Sequence, residues 1–418
     1  MKESIHIKNF GPIKDILIED IKPLTVFIGE SAGGKSTIMK VLALFRWIFK
    51  MCNIREYLIK SGGKNIKKFE LNNEHLRYPG LLELVSNSTH VEYAVTQSNG
   101  SVYTLKLKGK SLEIEGDLSE QAFTYEKLIY LTETRGFIPN LLGSSAKRPH
   151  FENLFEETLE HFETACLGLI SDHENSLDDE ITECDDIELL HSVAIDFLRI
   201  NFSIKKSQIG GIDHFIQPCN DAALGDSVNS IKEEYTIPYS LGSSGIQNTV
   251  PILMILDHYS HRFDIQSALD DSIVKALKEF GKVSDFKPVS DLTAFTKCVH
   301  VHIEEPELGL FPDAQCGLFN SLINKAFVNN ANCVSIAMTT HSPYILNHLN
   351  LLIKAHETND AQFTNGAKIS FDDVAAYQVE AGGIECLKCE EQGRKFIDTN
   401  ALSNTINDTY NRYAELGK

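Results

Sequence analysis

The chain lacks any run of eighteen apolar residues, and its opening stretch, Met1–Ile7, is charged and strand-like. Both features argue against a membrane span and a secretory signal. Cysteine is scarce and shows no pairing pattern. Nine residues, an odd number at irregular spacing over 418 positions, do not make a disulfide framework, and a reducing cytoplasm is the expected compartment. Positive charge is also short. Lys and Arg number 39 against 58 Asp and Glu, a net charge of −19, whereas a protein that gripped nucleic acid over its whole surface needs the opposite balance. Any such contact has to come from a local patch, an oligomeric groove or a partner. Arg55–Lys68, with Lys60, Lys64, Lys67 and Lys68, is one candidate patch, although its plainer reading is a solvated loop. Internal repeats and low-complexity segments are absent, and 42% hydrophobic with 23% charged residues rules out wholesale disorder. A chain of this length is expected to form two lobes.

What is present is an alternation of strands and helices around a glycine loop. Ile5 and Ile7, then Ile16 and Ile18, read as two edge-type strands, and Leu24–Ile28 as a buried one. Apolar residues fall at helical spacing from Lys35 to Lys50. Residues 91 to 115 alternate around a turn at Ser98–Gly100, which predicts a hairpin. Short buried strands are expected at Ile129–Leu131, Cys298–Ile303, Val334–Met338 and Val374–Val379, and a helical tail at Leu402–Tyr413. Between Phe151 and Ile200 the chain becomes acidic and helical with a break at Ser176–Asp179, which predicts an inserted helical lobe. The expected division is therefore residues 1–145, a lobe at 146–235, and 236–418, with a largely parallel α/β core.

Gly29-Glu30-Ser31-Ala32-Gly33-Gly34-Lys35-Ser36, followed by Thr37, fits the phosphate-loop pattern between a strand and a helix. Small residues let the backbone curl so that several N–H groups face one phosphate at the positive end of a helix. Lys35 adds a point charge for the outer phosphates, and Ser36 offers its hydroxyl to Mg²⁺. At the tip of the Cys298–Ile303 strand stand Glu304 and Glu305. Glu304 is placed to reach the same Mg²⁺, and Glu305, facing the other way, to orient and deprotonate an attacking water. His341 at the end of the next strand is placed to hydrogen-bond a γ-phosphate. His300 and His302 share a strand face without a third ligand and read as packing residues. Ser243-Ser244-Gly245-Ile246-Gln247 opens an apolar helix and makes a second anion-binding cap.

In this order the motifs resemble the ABC-type ATPases of the SMC and OLD branch. Gly29–Thr37 matches the Walker A loop, Ser243–Gln247 the signature loop, Ile303–Glu307 the Walker B strand and Thr340–Pro343 the switch histidine. Ile7–Gly11 and Tyr130–Arg135 also look like that branch, and Arg135 becomes a candidate site residue. The resemblance implies a P-loop ABC-type head with a largely parallel core sheet, an N-terminal antiparallel portion and an inserted helical lobe. It implies ATP and Mg²⁺ as ligands and a head-to-tail dimer, in which Ser243, Ser244, Gly245 and Gln247 close the partner's Gly29, Ser31, Gly33, Gly34 and Lys35 loop. Ser31 and Ala32 stand where Asn and Gly are more usual, which points to slow turnover. Gly309-Leu310-Phe311-Pro312 replaces the common His-Leu-His-Pro. The middle segment is too short for a chromosomal coiled coil, and Val379–Gly383 is followed by no Asp-x-Asp pair, so nuclease chemistry is not expected. Stand-alone heads of this kind resemble the ATPase subunits of the Septu, PARIS and retron antiphage systems, which act with a separately encoded effector, often a nuclease. A RecF-like DNA-repair ATPase and an ATP-binding scaffold with little turnover are the alternatives.

Overall fold

A computed structural model describes residues 1–63, 66–97, 99–120, 122–142, 153–176, 189–206, 212–219, 235–280, 287–400 and 404–416. Lys64, Ser98, Phe151, the break after Ser176 and the start of the tail at Leu402 lie outside the described residues. The chain opens with β1 (Lys2–Phe10), β2 (Ile13–Ile18), β3 (Leu24–Gly29) and the long helix α1 (Lys35–Lys60). After a short α2 (Asn73–Arg77) come β4 (Val85–Thr96), β5 (Val102–Lys108), β6 (Ser111–Glu115), β7 (Thr124–Leu131) and a short α3 (Ile138–Leu141). α4 (Asn153–Ser176) leads into β8 (Leu189–Ile195), β9 (Ile200–Lys206), β10 (Ile212–Pro218) and β11 (Ile237–Pro238). The remainder comprises α5 (Ser244–Asp257), α6 (Ile265–Phe280), β12 (Thr296–Glu304), α7 (Pro312–Ile323), β13 (Val334–Thr340), α8 (Pro343–Thr358), β14 (Val374–Glu380), β15 (Gly383–Cys386), a β16–β17 hairpin (Lys388–Glu391 and Arg394–Ile397) and α9 (Asn404–Glu415).

The central sheet has the order β15-β14-β3-β13-β12-β7, parallel throughout except for the β15 edge. A second, antiparallel sheet runs β2-β1-β4-β5-β6. The fold is thus an α/β P-loop architecture with a mostly parallel core and an antiparallel N-terminal sheet. β1 is not an edge strand as its alternation suggested, because it pairs with β2 on one side and β4 on the other. The middle segment departs further. Its helix holds through α4, but Leu189–Ile195 and Ile200–Lys206 are strands of a third sheet, β11-β10-β9-β8, where helix had been expected. Arg55 and Lys60 of the basic stretch belong to α1 rather than to a loop, and Lys60 is paired with Asp117.

Strand β12 shows how sequence alternation builds the site. Val299, Val301 and Ile303 enter the apolar core on one face of the sheet. Successive side chains point to opposite faces, so His300, His302 and Glu304 share the other face, where Arg46 of α1 meets His302. The first half of α1 supplies Ile38, Val41, Leu42 and Phe45 to a second core between that helix and the N-terminal sheet. Two cores therefore clamp a parallel sheet whose C-terminal strand ends meet at one edge. No helix among the described residues is long and apolar enough to cross a membrane.

Candidate functional site

Ligand sites of open α/β sheets lie beyond the carboxyl ends of the strands, and here β3, β13 and β12 are adjacent. β3 ends at Gly29, which faces Val379 of β14. A Cβ on Gly29 would stand 2.2 Å from the Val379 carbonyl oxygen, so only glycine lets the loop leave the sheet at this point. The loop then turns through Ala32 (φ 62°) and Gly34 (φ 105°) into α1. No side chain caps the start of α1. Its first amides, at Lys35, Ser36 and Thr37, have no carbonyl within the helix to bond, and they face outward as donors for an anion.

Lys35 closes this loop from inside. Its Nζ donates to the carbonyl oxygens of Gly29 at 3.0 Å and Glu30 at 2.8 Å and lies 3.1 Å from His341 Nε2. Burial pushes its ammonium below the ordinary value, while the nearby Glu305 and Glu307 oppose that shift. Glu304 is buried, accepts from the Tyr130 hydroxyl at 2.8 Å and from the Glu133 amide at 3.3 Å, and keeps further lone pairs available. Burial, then the Glu304 charge, holds the Tyr130 phenol well above its usual range, so Tyr130 is the donor. The Ser36 hydroxyl makes no hydrogen bond to any described residue. A carboxylate with free lone pairs and a free hydroxyl are hard oxygen donors suited to Mg²⁺, and the uncapped amides with Lys35 suit a triphosphate. The residues fit both ligands.

Glu305 leaves the strand at φ 43°, a region uncommon for residues bearing a Cβ, and its Oε1 comes to 3.2 Å from His341 Nε2. Lys35 Nζ and Glu305 Oε1 thus converge on one imidazole nitrogen. Glu307, which carried no assigned role in the sequence, accepts from the His341 amide and the Thr340 hydroxyl, each at 2.7 Å, and sets the histidine backbone.

Two further groups stand at the site, the first of which the sequence did not reveal and the second of which it offered as a candidate residue without a role. Pro12, Lys14 and the Ala381–Gly382 turn border the phosphate loop around an open cavity of about 350 Å³. Val379–Gly383 had been read as a strand and turn, which it is, but nothing local reveals that β14 lies beside β3. Arg135 is the other group. It is completely buried and donates to the carbonyl oxygens of Thr132, Glu304, Glu305 and Asn248. His300 and His302 are buried in the core, and no group of three or more potential metal-ligating side chains occurs among the described residues.

The structure does not bring Ser243, Ser244, Gly245 and Gln247 to the phosphate loop of the same chain. Gly245 rests on Gly309, where an added Cβ would meet the carbonyl oxygen at 2.5 Å, and Gln247 Nε2 donates to Ser240. Ser243 precedes α5 without capping it through its side chain, leaving another uncapped helix start. Leu241 and Phe311 stand 70% and 76% exposed beside these loops.

The family described as AAA ATPase domain matches residues 1–80 and 86–346. Among solved structures, the SMC head domain from Thermotoga maritima is 11% identical, with 94% of this chain and 100% of that chain covered at a TM-score of 0.37. The recombination mediator protein RecF is 10% identical, with 92% and 98% covered at a TM-score of 0.34. A protein of Methanocaldococcus jannaschii is 40% identical over 45 residues, 11% of this chain. That match spans 20% of the length of the curated relative.

Proposed function

The chain belongs to the AAA ATPase domain family, and from that premise we propose that it binds and slowly hydrolyses ATP as the ATPase subunit of a cytoplasmic antiphage complex. Two copies pair head to tail around the nucleotides, and their ATP state controls a separately encoded effector, of which a nuclease is the leading candidate. The observation that carries the ATPase reading is the convergence of Lys35, Glu305 and His341 at the mouth of an uncapped helix.

In this reading the amides from Gly33 to Thr37 bind the β-phosphate, and Lys35 turns from its two carbonyl oxygens toward the outer phosphates. The base and ribose end lies toward Pro12, Lys14 and Gly382. Ser36 and Glu304 hold Mg²⁺, which when bound offsets charge on the phosphate oxygens. Glu305 takes the proton of the attacking water. His341, whose backbone Glu307 fixes, presents Nε2 to the γ-phosphate. The partner's Ser243, Ser244, Gly245 and Gln247 complete the lid. Exposed Leu241 and Phe311 next to those residues support a second copy as the occupant of this face. The defence role rests on the motif order and on the absence of a long coiled coil among the described residues, whose longest helix is the 26-residue α1.

The test is native mass with and without ATP, alongside phosphate release and nuclease assays on the purified chain. An ATP-dependent doubling of mass with turnover and no nuclease supports the proposal. Strong cleavage of nucleic acid by this chain alone overturns the separate-effector reading. ATP-dependent, salt-sensitive DNA binding redirects it to a RecF-like role.

A further inference from the structure

Arg135 spends all its hydrogen bonds on backbone. Nη1 donates to Thr132 at 2.9 Å and Glu304 at 2.5 Å, Nη2 to Glu305 at 2.6 Å, and Nε to Asn248 at 3.1 Å. The side chain is 0% exposed, and no carboxylate hydrogen-bonds it. Burial lowers its pKa to about 10, opposed by the charges of Glu307, Glu304, Glu305 and Glu133. A buried cation is expensive. Here it is held by carbonyl oxygens from three separate segments: the turn after β7, the end of β12 and the first turns of α5.

Those segments have different jobs. The β12 end carries the two carboxylates of the chain's own nucleotide site. Asn248 belongs to α5, and its Nδ2 donates at 2.9 Å to the Ser244 carbonyl at that helix start. The loop from Ser243 to Gly245 is the one that covers the partner's nucleotide. A planar fork with fixed donor directions joins them, so a shift of the Glu304–Glu305 backbone must be taken up at Asn248 or break a buried hydrogen bond. Gly136, next to Arg135, presses the same contact: a Cβ there would lie 3.0 Å from the Asn248 amide.

We infer that Arg135 is a positioning residue that couples the two ATP sites of the dimer, transmitting the state of one chain's Glu304–Glu305 strand end to the Ser243–Gly245 loop it lends to its partner. The inference rests on the head-to-tail ATPase reading. Its consequence is positive cooperativity in ATP, with a Hill coefficient above 1 and bounded by the two sites.

The experiment measures ATP binding, turnover against ATP concentration and thermal stability for the wild type, Arg135→Lys and Asn248→Ala. Lysine keeps the charge but cannot span four carbonyl oxygens. Asn248→Ala, at a half-buried position, removes only the link to Ser244 and keeps the inference testable if Arg135→Lys fails to fold. The expected result is a Hill coefficient falling to about 1 in each folded variant, with ATP affinity within about threefold of wild type and turnover down roughly tenfold or more. A purely structural role moves stability and leaves the Hill coefficient alone. Variants that keep the wild-type Hill coefficient, or a wild type that turns over ATP with a coefficient of 1, overturn the coupling and leave the ATPase reading standing. A wild type that binds no ATP sinks both.

Discussion

Replacing Lys35 by methionine separates what the lysine does for the fold from what it does for a ligand. In the free chain its ammonium satisfies the Gly29 and Glu30 carbonyl oxygens at 3.0 and 2.8 Å. Hydrogen bonds to a charged group net about 1.5–3 kcal/mol. The buried ammonium also carries a desolvation cost, the direction of its lowered pKa, and water can reach an open loop. Net destabilisation is therefore on the order of 1 kcal/mol, a fall in Tm of a few degrees at most. The ligand term is larger. A unit charge about 4 Å from a phosphate oxygen, at an effective dielectric near 20, is worth about 4 kcal/mol, or roughly a thousandfold in affinity at 1.4 kcal/mol per decade.

The assay is thermal denaturation with and without ATP and Mg²⁺, backed by calorimetric titration. At ATP a hundred times Kd, linkage stabilises the wild type by about 2.7 kcal/mol. At the same concentration a thousandfold weaker variant gains about 0.06 kcal/mol. Lys35→Met is therefore expected to melt close to the free wild type and to show no ATP-induced rise. A variant that keeps most of that rise would mean that the triphosphate does not sit on the Gly29–Ser36 loop.

Glu305→Gln is expected to bind ATP normally and to lose about a hundredfold or more in phosphate release, the usual contribution of a general base. A change within twofold would instead mark a scaffold with little turnover. Tyr130→Phe deletes the 2.8 Å hydrogen bond to Glu304 and should raise the Mg²⁺ needed for half-maximal turnover roughly three- to tenfold, read by metal titration at fixed ATP. His214, stacked on Phe202, has its pKa pushed down by burial to about 4, so it is neutral in the fold while the unfolded chain protonates near its ordinary value of 6.5. Stability from this group is full above that value and is lost as pH falls toward 4, at about 1 kcal/mol per pH unit after allowance for its partial exposure. Chemical denaturation across pH 4–7 checks this, and His214→Gln should flatten the slope.

The phosphate loop and the acidic strand end were legible in the sequence because each is a local device. Glycines, a lysine and a hydroxyl act within one strand–turn–helix. The strand at Val334–Met338 was legible because parallel strands covered on both faces read as short apolar runs, and Cys298–Ile303 because Val299, Val301 and Ile303 alternate with two histidines. Leu189–Lys206 misled for a related reason. Leu190, Val193, Phe197 and Leu198 fall at spacings that also suit one helix face, but Leu190 and Val193 lie in β8, whose pairing with β9 decides for strand, and Phe197 and Leu198 form the short turn between the two strands. The Ala381–Gly382 turn was illegible as a site element in another way, and for Arg135, a candidate from the sequence, it was the partners that could not be read. Their placements arise from neighbours far apart in sequence, β3 beside β14 and Arg135 between the Glu304–Glu305 strand end and Asn248, and no periodicity encodes which segment lies next to which.

Glu304 and Glu305 show where local reading stops. Alternation alone sends Glu304 to the α1 face with His302 and sends Glu305 to the opposite face, beside Ile303 in an apolar core. A carboxylate there would be buried without partners. The backbone avoids this at one residue. The Glu305 amide bonds the Thr339 carbonyl oxygen at 3.0 Å, φ turns to 43°, and Arg135 takes the Glu305 carbonyl. The carboxylate then swings out to His341. Two adjacent, chemically near-identical side chains thus take different partners, Tyr130 and the Glu133 amide for Glu304 and His341 for Glu305, while the buried Arg135 guanidinium holds the carbonyl oxygens of both. Arg135, bonded to backbone alone, thereby sets where both carboxylates leave the strand.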